Sequence, residues 1–508
     1  MTLRVPLSRY PGFNKFVLDW LGGERRATQF LPRVAPPTSA ARTPAVHRAA
    51  LIEPLADSNR RWGLFVKPQL ERWAAGVTAT IVGGQQVGFA GGPLYTLAKI
   101  ATMLKMKRDL EAAGTPATVL FWLATEDHDF DEVAQLSVPV RTVSRDVNRQ
   151  LDLLCVRTTR AVESKFAVGR LPVPEPLIVE LLALYGLDRP SWLRNGITFG
   201  DSFAELIAGI FGNDVILVDA LLPELRRAGA PLFKEIFANW DDIERAIGHR
   251  SGELSAAGYA PQVVPRDGES YSLLFELDDR SERHLIDQPR KSFQPERIST
   301  SALTRPLLQD FVLRPDIFVG GPAEVSYYAQ ITPLHDLLGV PLPRVALRGH
   351  SLIAPKRMMR FIERYSISAD EIFTSPDDLL AEREPKGASE IRREAETARK
   401  ELMKHIEQIG ELALPADHAL ARAINRSIGH IEYHFNKLTE RSIRGLVRKD
   451  KERYAAAKEL LATLYPDHHV QDRVVGWFPY WLQQGRGLVD LMIDEIVPDA
   501  DTFSIIGV

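Results

Sequence analysis

Cysteine is almost missing from this 508-residue chain, where Cys155 stands alone. One thiol excludes an intrachain disulfide framework and a cysteine-rich zinc site. It falls in an apolar run from Leu151 to Val156 that reads as a strand, so a buried, inert thiol packing as a small hydrophobe is expected. Long hydrophobic runs are absent as well. Nothing reaches the ~18 uninterrupted apolar residues of a membrane span, and no apolar segment follows Met1 to Pro6 to form a secretory signal. A cytoplasmic protein without a membrane partner is expected. Charge of one sign is lacking too: 63 Lys and Arg face 66 Asp and Glu, a net charge of −3. That balance gives no electrostatic reason to expect nucleic acid as a partner.

What is present is an ordinary globular composition, 45 % hydrophobic and 25 % charged. At this length two or three structural units are expected. Residues 1–75 read as a helical and loop region packed on a core, with prolines gathered between Pro32 and Pro44. Over 76–384, strand-like apolar runs alternate with helical patterns, which predicts an α/β core built on a parallel sheet, with inserts. Over 385–465, apolar residues recur in steps of three and four: Ile391, Ala395, Ala398, Leu402, Ile406, Ile409, then Leu420, Ile424, Ile428, Ile431, Phe435, Leu438. Two helices in an antiparallel coiled-coil hairpin are predicted, broken near Pro415, with Asp417 placed to cap the second. Such a seam packs on its own domain or on a second subunit. Residues 466–508 are expected to return to the core.

The densest chemistry lies between 76 and 132. Val77 to Val82 is a β-branched run suited to a buried strand. Gly83 to Gly92 holds five glycines, including Gly84, Gly88 and Gly92 around Gln85 and Gln86, and Pro93 then opens a helix carrying Tyr95, Leu94, Leu97, Ala98, Ala101 and Leu104. Strand, glycine loop and helix N-terminus together suit an anion, although neither common phosphate fingerprint is met; the alternative is a simple turn. A second apolar strand, Ala117 to Thr125, ends on Glu126, Asp127, His128, Asp129, Asp131 and Glu132. A carboxylate and imidazole cluster at a strand's carboxyl end is where open α/β sheets bind ligands, and it can move protons or orient an amine. Asp131 and Glu132 are accounted for by a helix first turn.

A further strand at Ile317 leads to Gly320, Gly321 and Pro322, opening a helix with Glu324, Tyr327, Tyr328 and Gln330. Glu324 serves either the helix dipole or a ligand, and the tyrosine pair reads as core. Arg344 and Arg348 flank another strand before a Gly349-His350-Ser351 turn, suited to carboxylate or phosphate or to surface ion pairing. Ser202 and Glu205 read as a capping box ahead of a scaffold helix, followed by a strand from Val215 to Val218.

Taken in order, Gly84-Gln85-Gln86, Gly92 to Thr96, Phe121 to Phe130, and Gly320 to Glu324 with Tyr327 and Gln330 resemble the cysteine ligase family of bacillithiol biosynthesis. The resemblance continues through Gly258, Tyr259 and Arg348 to Gln471, Asp472 and Arg473, and covers essentially the whole chain. It implies a Rossmann-like core with inserted connecting regions, a C-terminal antiparallel helical coiled coil that mediates a homodimer, and a ligase that adds cysteine to glucosaminyl-malate. Amide formation implies ATP, optionally with Mg²⁺. By this resemblance Asp127, His128 and Asp129 are the expected catalytic residues. Gly84, Gln85, Gln86, Gly88, Gly92, Tyr95, Glu126, Gly320, Gly321, Glu324, Tyr327, Gln330 and Arg348 are expected to bind nucleotide or substrate, and no metal ligands are assigned. The alternatives are an ATP-dependent ligase or nucleotidyltransferase with another amine acceptor, and a non-catalytic nucleotide-binding scaffold of a thiol pathway.

Overall fold

The computed structural model describes residues 2–35, 48–143, 149–157, 165–265, 269–381, 387–413 and 420–508. Thirteen strands are present among them: β1 (Thr2–Pro6), β2 (Ala79–Gln85), β3 (Ala117–Leu123), β4 (Gln135–Val143), β5 (Arg149–Arg157), β6 (Ile216–Asp219), β7 (Leu274–Leu277), β8 (Arg283–Ile286), β9 (Ile298–Thr300), β10 (Ile317–Gly320), β11 (Arg344–Leu347), β12 (His350–Ala354) and β13 (Thr502–Gly507).

The core is a five-stranded, wholly parallel sheet in the order β11-β10-β2-β3-β6. Every residue of β3 is buried, as its unbroken apolar sequence requires of a strand covered on both faces. The chain steps from β2 toward β3 and β6, then returns to build β10 and β11 on the other side. Strand order therefore reverses between β2 and β10. In an open α/β sheet that reversal opens a crevice beyond the strands' carboxyl ends.

The glycines after Val82 belong to β2, which runs to Gln85 rather than stopping before a loop. A Cβ on Gly84 would lie 2.8 Å from Trp122 of β3, and one on Gly83 would lie 3.0 Å from the Val319 carbonyl of β10. These residues let neighbouring elements close on β2. Beyond the strand, Gly91 has φ +87°, and its missing side chain makes room for the Trp477 ring. Trp477 Nε1 donates to the Gly91 carbonyl at 2.9 Å, and Leu94 N, at the start of helix Leu94–Ala112, donates to Val475 O at 2.8 Å. The C-terminal segment thus seals the loop and the helix end that the sequence suggested for an anion.

Inserts occupy the connections. The β4–β5 hairpin lies between β3 and β6, and the antiparallel sheet β8-β7-β9 between β6 and β10. Cys155 lies in β5, yet it is exposed and not buried, because alternate residues of the strand face opposite ways and its neighbour Val156 is the one that packs on the core. The proposed capping box at Ser202 is also displaced. Thr198 caps helix Phe199–Phe211 by accepting from Asp201 N, and Ser202 is a buried residue of its first turns.

A smaller sheet, β1-β13-β12, joins both chain ends to the core. Arg348 and Gly349 are the whole link between β11 and β12; His350 and Ser351 stand in β12, not in a turn. The helical hairpin consists of Ala388–Ala413 and Leu420–Lys449, bridged by an Arg399–Glu432 ion pair at 3.2 Å. Asp417 lies outside the described residues. A third helix, Lys451–Leu464, capped by Asp450, fills the stretch to 465. The seam residues Ile391, Leu402, Ile406, Ile428, Ile431 and Phe435 are only half-buried, and Ile409 and Leu438 are exposed. No described helix is long and apolar enough to cross a membrane.

Candidate active site

At the reversal between β2 and β10 lies a cavity of about 240 Å³. The end of β2 contributes Gly84, Gln85 and Gln86; the segment after β3 contributes Ala124, Asp127 and Glu132; the turn after β10 contributes Gly321, Glu324 and Tyr327. Helix Leu94–Ala112 adds Tyr95 and Lys99, and Arg305, Arg348 and Arg473 complete the wall. Nine of the expected binding and catalytic residues thus converge, from three widely separated parts of the chain.

Lys99 forms the floor. It is 1 % exposed within the buried first part of its helix, and its ammonium pairs with Glu324, donates to Gly84 O at 2.6 Å and reaches Gln85 Oε1 at 3.1 Å. Burial lowers its pKa, opposed by the Glu324 charge. Glu324 also accepts from Gly321 N at 2.6 Å, so it caps helix Pro322–Leu337 as well as facing the cavity. Tyr327 lines the cavity with its hydroxyl 3.5 Å from Glu324 Oε1, whereas Tyr328 is core, bonded to Asp310.

Asp127 sits at the edge of the cavity. It accepts from Gln86 Nε2 at 3.0 Å and from His128 N at 2.7 Å, with Arg305 at 3.7 Å. Burial opposes its ionisation, but Arg305 and the Gln86 bond prevail and hold its carboxyl below the ordinary range. Glu132 shows the opposite balance. Burial and the charges of Asp129 and Asp127 push its carboxyl up, against the opposing bonds from Tyr95, at 3.3 Å, and Gln86. Gln86 Oε1 and Trp122 Nε1 are buried without a partner, although both residues line the cavity. Orphaned polar atoms of this kind call for a polar ligand.

A wider chamber of about 1190 Å³ adjoins the first and shares Gln86, Asp127 and Arg305 with it. His128 opens here, not into the smaller cavity. Arg283 lies 2.7 Å from His128 Nδ1, so this nitrogen accepts and the ring is neutral; burial, then Arg283, depresses its pKa. Asp129, exposed on the same rim, caps the short helix Phe130–Val133 by accepting from Glu132 N.

Other expected residues are held by the scaffold, and of these Glu126 also lines the wider chamber. Glu126 is fully engaged by Arg226 at 2.6 Å, Ser299 at 2.9 Å and both N–H and hydroxyl of Thr300, which lock β3 to β9. Gln330 is buried and bonded to Ser251 and to both backbone groups of Val263. Gly88 and Gly92 are packed in the sealed loop, and Gly320 closes β10 against Glu324, whose Cβ a side chain would meet at 2.9 Å. Lys99 and Arg305 are not singled out by the sequence, Arg473 enters there only through the family resemblance and without a role, and Glu132 is assigned to a helix turn. A lysine within the run from Leu94 to Leu104 is the signal for Lys99, and the Gln471-Asp472-Arg473 motif that for Arg473; Arg305 carries none.

A parallel sheet with a charged, ligand-sized cavity at its point of reversal defines a Rossmann-like α/β enzyme acting on small polar molecules. Residues 24–349 match the family model described as "Bacillithiol biosynthesis BshC, N-terminal Rossmann-like domain", and residues 351–508 match the corresponding C-terminal coiled-coil domain. The chain belongs to the BshC family. A protein of Solibacter usitatus named "Putative cysteine ligase BshC" is 31 % identical over 475 residues, covering 88 % of this chain and 87 % of the relative. Relatives of the same name from Koribacter versatilis and Heliobacterium modesticaldum are 29 % and 27 % identical, covering 96 % and 85 % of this chain and 97 % and 84 % of their own lengths.

Proposed function

We propose that this chain is the cysteine ligase of bacillithiol biosynthesis, joining the carboxyl group of cysteine to the amine of glucosaminyl-malate with consumption of ATP. The observation that carries this reading is the position of Asp127 at the junction of two cavities, between Gln86 and Arg305. An amide bond needs a nucleophilic amine and a carboxyl oxygen turned into part of a leaving group, and ATP supplies that leaving group when bound.

The residues fit such an anion best in the wider chamber. Arg283, Arg305 and Lys165 provide positive charge there, and Arg283 Nε is buried without a hydrogen bond. The sealed glycine loop does not fit it. Asp127, held ionised, orients the amine of the acceptor, and Glu132, with its raised pKa, takes the proton the amine loses as the C–N bond forms. Arg473, exposed on the wall of the smaller cavity, meets the carboxyl group of cysteine. A homodimer forms through the hairpin, whose half-exposed seam supports burial against a second copy. Incubating the purified protein with cysteine, glucosaminyl-malate and ATP tests this reading. It predicts a product with the mass of the cysteinyl amide, and release of AMP or ADP only when both substrates are present. Nucleotide binding without product would instead favour a scaffold.

A further inference from the structure

A third cavity, of about 210 Å³, lies behind the first and shares Pro322, Ala323, Arg348 and Arg473 with it. Phe13, Val470 and Phe503 form an apolar part of its wall. Two buried polar side chains in the wall are only half satisfied. Asp472, 1 % exposed, places Oδ2 at 2.9 Å from Arg348 and 3.2 Å from His350 Nδ1, while its Oδ1 has no partner. His350, 2 % exposed, has no partner at Nε2.

The chemistry of these two atoms is defined by their neighbours. His350 Nδ1 faces a carboxylate, while burial and the Arg348 charge keep the ring neutral with a pKa of about 4. The proton therefore sits on Nδ1, and Nε2 offers a lone pair. Asp472 is held ionised by Arg348 and His350 against its burial. Both orphaned atoms are acceptors, so a ligand must bring donors. A primary ammonium brings three and carries the charge a carboxylate favours. Arg473, exposed on the wall common to the two cavities, offers the opposite charge.

We propose that this third cavity is the subsite for a small α-amino acid. Its ammonium meets Asp472 Oδ1, and its carboxylate turns toward Arg473 at the shared wall. Its side chain lies against Phe13, Val470 and Phe503, a surface that suits a thiol better than a charged group. The inference rests on the ligation reading above and names where cysteine waits: with its carboxyl group facing the cavity that holds Asp127 and Glu132. Arg348, tied to Asp472, acts as a positioning residue.

The test is steady-state ligation by the full chain, with the KM for cysteine and the KM for glucosaminyl-malate measured separately in the native protein, Arg473→Gln and Asp472→Asn. Each variant is expected to raise the cysteine KM at least tenfold while moving the acceptor KM less than twofold. In the native protein 3-mercaptopropionate, which lacks the ammonium, is expected to compete with cysteine at least tenfold more weakly than serine does. This second measurement stands even if Asp472→Asn does not fold. A cysteine KM unchanged in Arg473→Gln, or 3-mercaptopropionate competing as well as serine, overturns the subsite while leaving ligation itself intact. Absence of any cysteinyl product from the native protein removes the functional reading and the subsite with it.

Discussion

Lys99 and Glu324 form an ion pair that joins helix Leu94–Ala112 to the first turn of helix Pro322–Leu337 beneath the cavity. The pair ties together the elements that follow β2 and β10, the two strands between which the sheet reverses. Removing one partner of a buried pair leaves the other charge uncompensated. Lys99→Met is therefore expected to lower unfolding stability by about 3 kcal/mol, and Lys99→Met with Glu324→Gln to recover part of that loss. Urea denaturation of the two variants checks this. With Glu324→Gln alone measured as well, a double-variant loss equal to the sum of the two single losses would show that the pair is not coupled.

The glycine loop makes a separate prediction. Gly91 has a positive φ, and a Cβ there would lie 2.3 Å from the Trp477 ring. Gly91→Ala is expected to cost more than ~1 kcal/mol, since alanine is strained at that φ and must also displace the ring. Because the loop is sealed, the folded variant is expected to keep its nucleotide affinity. Thermal melts and equilibrium nucleotide titration separate the two effects, and a large affinity loss with little change in melting would restore the loop as a phosphate site.

Acid sensitivity follows from His350. Its folded pKa of about 4 lies below the ordinary 6.5 because of burial and the Arg348 charge. Between those values the unfolded chain binds a proton that the folded chain refuses, so stability falls as pH drops from about 6.5 to about 4. Asp472, held below its ordinary 3.8, contributes its own loss only at lower pH. His350→Asn is expected to flatten the stability curve between pH 6.5 and 4. Parallel curves for native protein and variant would contradict this.

Glu132 is expected to shape the rate profile. Burial, Asp129 and Asp127 raise its pKa above the ordinary 4.5, so ligation rises with pH as this carboxyl ionises. Glu132→Gln is expected to lower kcat by about 100-fold and to remove that rising limb. A retained limb would assign the proton acceptor to another group.

Much of this architecture is legible in the residues. The fully apolar β3, the strand and Gly-Gly-Pro turn at Ile317 to Pro322, and the three-and-four spacing of the hairpin each have one plausible fold, and the structure has them. The glycines misled in a physical way. A glycine that admits a ligand and one that admits Trp122 or Trp477 read alike, because the crowding partner lies far away in sequence. The structural bonds of Glu126 are hidden for a similar reason: its partners Arg226, Ser299 and Thr300 lie 100 or more residues ahead. Cys155 sits in an apolar run, but the hairpin it belongs to has an open face. Arg305 carries no local pattern, since its role comes entirely from where the sheet reversal places it.

Asp127 stands where the two cavities meet, and one substitution tests its role there. Asp127→Asn keeps the size of the side chain and an acceptor for Arg305 while removing the charge. With the fold confirmed by circular dichroism, the purified variant is expected to form the cysteinyl product at least about 100-fold more slowly than the native protein. Product formation at the native rate would contradict the assignment of this junction as the place of reaction.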